Sequence, residues 1–247
     1  MDSVLYTAAS GMIAKQRDVD VLANNLANAS VNGYRPDSTF YEVWQRVGGS
    51  GTGPNASREK AANAEVAVPR IVTSSQPGAL IQTGAPLDLA IEGDGWFVLQ
   101  TKAGLRYTRG GALHLASDGT LTSADGSPVL GPGGPIKLKN GRIEIEGSGR
   151  ISVDDTEAGA LRLAQVAMED LEKEGVNRYR LRPGRAERTA EGEVFVRQGN
   201  LESPSLNPLD EMVKLVAAQR AFEQHAKTVN MIMNEIDKKA ANDIAAL

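Results

Sequence analysis

The chain has 247 residues, 41% hydrophobic and only 4% aromatic, which is enough apolar material for a folded core and excludes a wholly disordered polymer. Lysine and arginine number 27 against 31 aspartate and glutamate, a net charge of −4 that gives no global attraction for nucleic acid. Cysteine is absent, which removes disulfides, thiolate zinc sites and cysteine nucleophiles.

At the N-terminus, residues 1–9 carry neither a basic region nor a long apolar run, and no stretch approaches the roughly 18 apolar residues of a membrane span. The expectation is a soluble chain without a cleaved signal peptide and without membrane insertion. From Ser3 to Ala29 the apolar residues fall at helical spacing. Leu5, Met12, Val19 and Leu26 recur at intervals of seven, with Leu22 beside them, which predicts a coiled-coil seam. Asn32-Gly33 supplies a left-handed stop, and Pro36 prevents resumption of the helix. Asn24, Asn25 and Asn28 lie three and four apart on one face near that end. Their amides suit interhelical hydrogen bonds or capping of the last turn, and the plainer reading is a fraying terminus. Residues 35–73 include a stretch rich in Gly, Ser and Asn (47–64) and read as an extended connector.

Residues 74–204 change to a period of two. Trp96-Phe97-Val98-Leu99 follows Gly93-Asp94-Gly95, and Ile136-Lys137-Leu138 and Ile143-Glu144-Ile145 alternate. Asp118-Gly119, Asp125-Gly126 and Asn140-Gly141 stand between such runs as short hairpin turns. A central antiparallel β domain is predicted.

A second long helix follows from Asn207, an N-cap, with Pro208 at the first helical position and acids in the first turn. Leu215, Phe222, Val229 and Ile236 repeat at seven, flanked by Met212. Val213, Val216 and Met231 lie off this stripe, so one partner helix would not cover everything. The fold class is therefore α+β. Residues 1–34 and 205–247 form a coiled-coil stalk of two long terminal helices, 35–73 connect, and 74–204 form the β domain.

Little in the chain suggests catalysis. His114 and His225 fall in different predicted modules without neighbouring ligands, and no hydrolase, nucleotide-binding or zinc-protease motif occurs. No catalytic, cofactor or metal residue is expected. Asp154-Asp155 reads as a turn more readily than as a cation site. Arg178, Arg180, Arg182, Arg185 and Arg188, with Tyr179 among them, read as a solvated or salt-bridged face. A competing reading, a cell-wall-binding β module dimerised by its helices, would use Trp44 and Trp96 as exposed aromatics.

Ala23-Asn24-Asn25-Leu26-Ala27-Asn28-Ala29-Ser30-Val31-Asn32-Gly33-Tyr34-Arg35 resembles the N-terminal signature of the bacterial flagellar basal-body rod and hook family. The run Leu87 to Val98 resembles a strand pair of that family, as do Tyr107-Thr108-Arg109-Gly110-Gly111 and Leu121 to Gly126. Gln198-Gly199-Asn200-Leu201-Glu202 and Gln219-Arg220-Ala221-Phe222-Glu223 match its C-terminal signature. Val31-Asn32 and Trp96 depart mildly from it. The resemblance implies a non-enzymatic axial subunit that self-associates, meets other flagellar rod proteins and is exported by the flagellar type III apparatus. Its place would be the periplasm-spanning rod of the basal body. The chain's length favours the rod, with its proximal part as the nearest fit and the distal rod or the hook as alternatives. The assembly interface is then expected on the seams, the three asparagines and Gly33.

Overall fold

The computed structural model describes residues 2–41, 43–45, 64–66, 70–189 and 194–245. It is α+β: among the described residues two α-helices, α1 (Asp2–Ala27) and α2 (Pro208–Ala245), flank a series of short strands. Contacts divide the chain into a helical unit (1–26, 37–72 and 208–247) and a β unit (27–36 and 73–207).

In the helical unit, α1 stops ahead of the Asn32-Gly33 turn, where Gly33 takes φ +67°. Pro208 is the first residue of α2, with Asp210 and Glu211 in the first turn. Gly11 lies against the ring of His225, and the Asn25 amide bonds the Glu211 carboxylate. Moving from 11 to 25 on α1 thus corresponds to moving from 225 back to 211 on α2, so the two helices run antiparallel over about 21 Å. The segment expected as an extended connector contributes strands: Asp37–Phe40 pairs with Arg70–Thr73, and Val43–Gln45 with Ala64–Val66.

The β unit is organised by a six-stranded antiparallel sheet in the order 171–173, 178–181, 104–108, 96–101, 163–165, 188–189. Strand Trp96–Thr101 is buried on both faces, which is why it reads as a continuous apolar run rather than an alternating one. Phe97 and Leu99 join a large cluster with Leu89, Leu113, Leu121 and Ile151. Trp96 and Val98 point the other way, to Tyr107, Val166, Leu171 and Tyr179.

Two of the three predicted hairpin turns form as expected. Gly119 (φ +79°) links Leu113–Leu115 to Leu121–Ser123, with the Asp118 carboxylate accepting from the Thr120 amide and hydroxyl. Gly126 (φ +80°) donates its N–H to the Ser123 carbonyl at 2.8 Å. Asn140-Gly141 is a bend instead, not a hairpin turn. Ile136 and Leu138 bond back to Leu121 and Gly119, while Ile143–Ile145 pairs forward with 151–153, so the two runs it joins never pair. Asp154 and Asp155 (φ +49° and +61°) form the turn between Arg150–Val153 and Thr156–Ala160.

Candidate functional site

Within the helical unit, the deepest burial on α1 is at Ala14, Val21 and Asn25. These lie on one flank of a wide inward arc, while Met12, Val19, Leu22 and Leu26 are half-buried along the other flank. On α2, Leu215, Phe222 and Val229 are half-buried and Met212 is exposed. The side chains of Leu5 and Ile236 fall outside the described residues.

The deep flank is set by polar groups. The Asn25 side chain meets Asp37 as a neighbouring strand would: its carbonyl accepts the Asp37 N–H at 2.9 Å and its amide donates to the Asp37 carbonyl at 2.8 Å. The same amide donates to Glu211 at 3.3 Å. Farther along, Thr39 and Tyr41 both bond the Asp18 carboxylate, the Tyr41 hydroxyl lies 3.0 Å from the Ala14 carbonyl, and Lys15 pairs with Asp18 at 3.0 Å. Burial pushes the Asp18 carboxyl up, yet the bonds from Thr39, Tyr41 and Lys15 outweigh it and hold the group below the ordinary carboxylate range. Burial and the adjoining Asp18 push the Tyr41 hydroxyl up to about 12. Asn25 is therefore engaged inside the chain, Asn24 is exposed and Asn28 half-buried.

With that seam formed, α2 still exposes Leu209 (69%), Val213 (71%) and Val216 (51%), with Met212 beside them and Met231 and Met233 farther along. Positions 209, 213 and 216 share one stripe of the helix.

A second constellation lies inside the β unit, and it gathers the signature motifs. Glu202 is 1% exposed, Arg35 3% and Arg109 4%. Arg35 donates to Glu202 at 3.3 Å and to the Ser75 carbonyl. Arg109 donates to Glu202 at 3.4 Å and to the carbonyls of Ile91 and Gly93 at 3.0 and 2.6 Å. The Gly78 N–H adds a third donor to the carboxylate at 3.1 Å. Burial lowers the Arg109 pKa, opposed chiefly by Glu202. Backbone carbonyls and the Trp96 ring take up much of the remaining guanidinium surface, while the Nε–H of Arg35 and of Arg109 is buried without a hydrogen-bond partner among the described residues. That ring lies 5.8 Å from Arg35 and 5.3 Å from Arg109, with Tyr179 edge-on at 5.0 Å, and its N–H donates to the Val166 carbonyl.

Gly33 is part of this clasp. Its N–H donates to the Glu202 carbonyl at 2.8 Å, and a Cβ there would come within 2.5 Å of the Arg109 carbonyl carbon. On the other side Lys173 donates to the Arg35 carbonyl at 2.8 Å and sits over the Tyr34 ring.

Trp96, expected as an exposed aromatic, is 4% exposed, because strand alternation turns it under Tyr179 and the two arginines. It offers no surface to a polysaccharide; the Trp44 side chain lies outside the described residues. Four of the five arginines of the run are tied down within the chain. Arg178 pairs with Asp125, Arg180 with Glu172 at 2.7 Å, and Arg185 with Asp170 at 3.0 Å, while Arg182 donates to the Leu171 carbonyl. His114 and His225 are both exposed, and among the described residues no cluster of three His, Cys, Asp or Glu side chains is placed to hold a metal ion.

Three family models match. "Flagella basal body rod protein" covers residues 5–35, "Flagellar hook protein FlgE/F/G D1 domain" 90–156, and "Flagellar basal body rod FlgEFG protein C-terminal" 197–243. The chain is 32% identical over 246 residues to the flagellar basal-body rod protein FlgF of Mesorhizobium japonicum, covering 96% of both chains. It is 33% identical over 245 residues to FlgG of Bacillus subtilis, covering 91% of this chain and 93% of that one. Against FlgF of Salmonella typhimurium the identity is 31% over 253 residues, covering 94% of each.

Proposed function

Because the chain belongs to the flagellar basal-body rod protein family and is a structural subunit of that rod, we propose that its terminal helices build the axial drive shaft between motor and hook. In this reading 1–34 and 205–247 form a coiled-coil stalk, 35–73 connect it, and 74–204 form the β domain. The subunit occupies the proximal, periplasm-spanning rod and reaches it through the flagellar type III apparatus. Its partners are further copies of itself and other rod proteins.

The observation that carries this reading is the stripe of Leu209, Val213 and Val216, left in water after α1 and α2 have met. A helix whose apolar surface exceeds what its own chain covers is suited to contacts with neighbouring subunits. If the stripe of one subunit meets a different surface of the next, the contacts are heterologous and propagate into rings or a helical tube. Met12, Val19, Leu22 and Leu26 on α1, and Leu215, Phe222 and Val229 on α2, hold the hairpin that presents the stripe.

The test is Val213→Asp. A carboxylate at this exposed position leaves the free chain within about 0.5 kcal/mol of the parent. Forced into a dry subunit contact it is strongly unfavourable. The variant is expected to unfold as the parent does, yet to be absent from purified hook–basal bodies in non-motile cells. Normal incorporation and swimming would overturn the assignment.

A further inference from the structure

The β unit consists of 27–36 and 73–207, so every passage of the chain to or from the helical unit leaves through one of three segments: 27–36, 73–79 or 203–207. All three are bound at the Arg35–Glu202–Arg109 clasp. The first reaches it through the Gly33 N–H and the Arg35 guanidinium. The second reaches it through the Ser75 carbonyl and the Gly78 N–H. The third follows Glu202 directly and bonds the other two: the Ser203 N–H donates to the Ala79 carbonyl at 2.8 Å, and the Ser205 N–H to the Tyr34 carbonyl at 3.1 Å. The Ser74 N–H closes the set on the Pro36 carbonyl at 2.9 Å. A Cβ on Gly78 would come within 1.8 Å of the Ser203 carbonyl oxygen, so the segments touch backbone to backbone.

None of these residues belongs to the two hydrophobic clusters, whose members run from Leu87 to Val196. The clasp meets them where the two guanidinium groups lie over the Trp96 ring of the second cluster.

We propose that the clasp is a force-carrying joint, with Glu202 as its positioning residue: one buried carboxylate fastens the three exit segments to each other and, through Arg109, to the sheet. Force entering along any of them is then shared by all three and delivered to the β unit as a whole. A torque-bearing role for this joint rests on the rod reading above; the joint itself does not.

Glu202→Gln keeps the shape and still accepts the Gly78 N–H, but removes both ion pairs. Amide exchange is measured on the full-length monomer. The expected result is at least tenfold faster exchange in 27–36, 73–79 and 203–207 together, with 89–99 and 151–163 unchanged. Lys173→Met, which removes the ammonium that bonds the Arg35 carbonyl and covers the Tyr34 ring, is expected to loosen 27–36. In cells the Glu202→Gln subunit is expected to enter the rod and to lose motility in viscous medium that the parent still crosses. Exchange confined to one segment overturns the joint. So does loss of protection in the core strands, which would make the clasp an element of the fold. The expected exchange pattern without any flagellar phenotype would leave the joint standing and overturn its force-carrying role.

Discussion

In the β unit, two faces of one sheet are sealed by separate apolar clusters, and side chains such as Leu89, Phe97, Leu121 and Ile151 have no contact with water. In the helical unit, the residues buried most deeply among those described are Ala14, Val21, Asn25 and Glu211, two of them polar, while Leu209, Met212, Val213 and Val216 of α2 lie exposed. The first region closes its own core, with Leu80, Ile81, Val176 and Phe195 exposed around it. The second fixes its register with hydrogen bonds and leaves its hydrophobic surface unfilled. Directional bonds select one arrangement at modest net free energy, whereas buried area supplies magnitude. A subunit divided in this way can be a finished domain and an unfinished polymer at once.

That contrast can be broken from either side. Phe97→Ala strikes the self-sufficient side and should cost about 3–5 kcal/mol, since a fully buried ring leaves a cavity the sheet cannot collapse into. Denaturant unfolding followed by near-ultraviolet dichroism checks it, and a loss below about 1 kcal/mol would mean the core is looser than its burial implies. Asn25→Ala strikes the other side and strands the Asp37 backbone groups. About 1–3 kcal/mol is expected, confined to the helical unit. Exchange protection lost along α1 and 37–41, with the β unit intact, is the result that fits. The smallest effect is Tyr41. Its hydroxyl, raised from 10.0 to about 12, is favoured in its neutral form by the fold. The stabilisation is complete below pH 10 and fades as the pH rises through about 12. Ultraviolet titration of phenolate in the parent against Tyr41→Phe should remove a transition near pH 12. Removal of one near pH 10 would detach Tyr41 from Asp18.

Much of the fold was legible because local chemistry determined it. The stop at Asn32-Gly33, the start at Pro208 and the Asp118-Gly119 and Asp125-Gly126 turns each depend on a residue whose own backbone preference sets the conformation. Asn140-Gly141 was misjudged for the same reason: its dipeptide permits a hairpin, but Ile136 and Leu138 find a better partner in 119–121. On α1 the seven-residue spacing identified the half-buried flank but not the deeper one. Asn25 carries no apolar signal, and its burial comes with its bonds to Asp37 and Glu211.

The clasp was illegible as a site, although Arg35, Arg109 and Glu202 each sat inside a signature motif. Opposite charges brought together from three distant stretches leave no periodicity. Only the adjacent glycines gave a hint: Gly33 and Gly111 both mark places where backbones meet too closely for a Cβ, Gly111 within 1.6 Å of the Leu89 oxygen. Trp96 was misplaced because an aromatic after a glycine turn is equally compatible with either face of a strand.

Because residue 11 faces 225 and residue 25 faces 211, a change of length in either helix is felt along everything beyond it. One inserted residue turns the remainder by about 100°, which swings Asn25 away from both Asp37 and Glu211. Seven inserted residues restore the facing to within about 20°. The hairpin can therefore grow or shrink by whole heptads matched on both helices, while the Asp154-Asp155 turn can absorb single residues. Across such chains the expected pattern is single-residue length change in the turns of the β unit and paired steps along the helices.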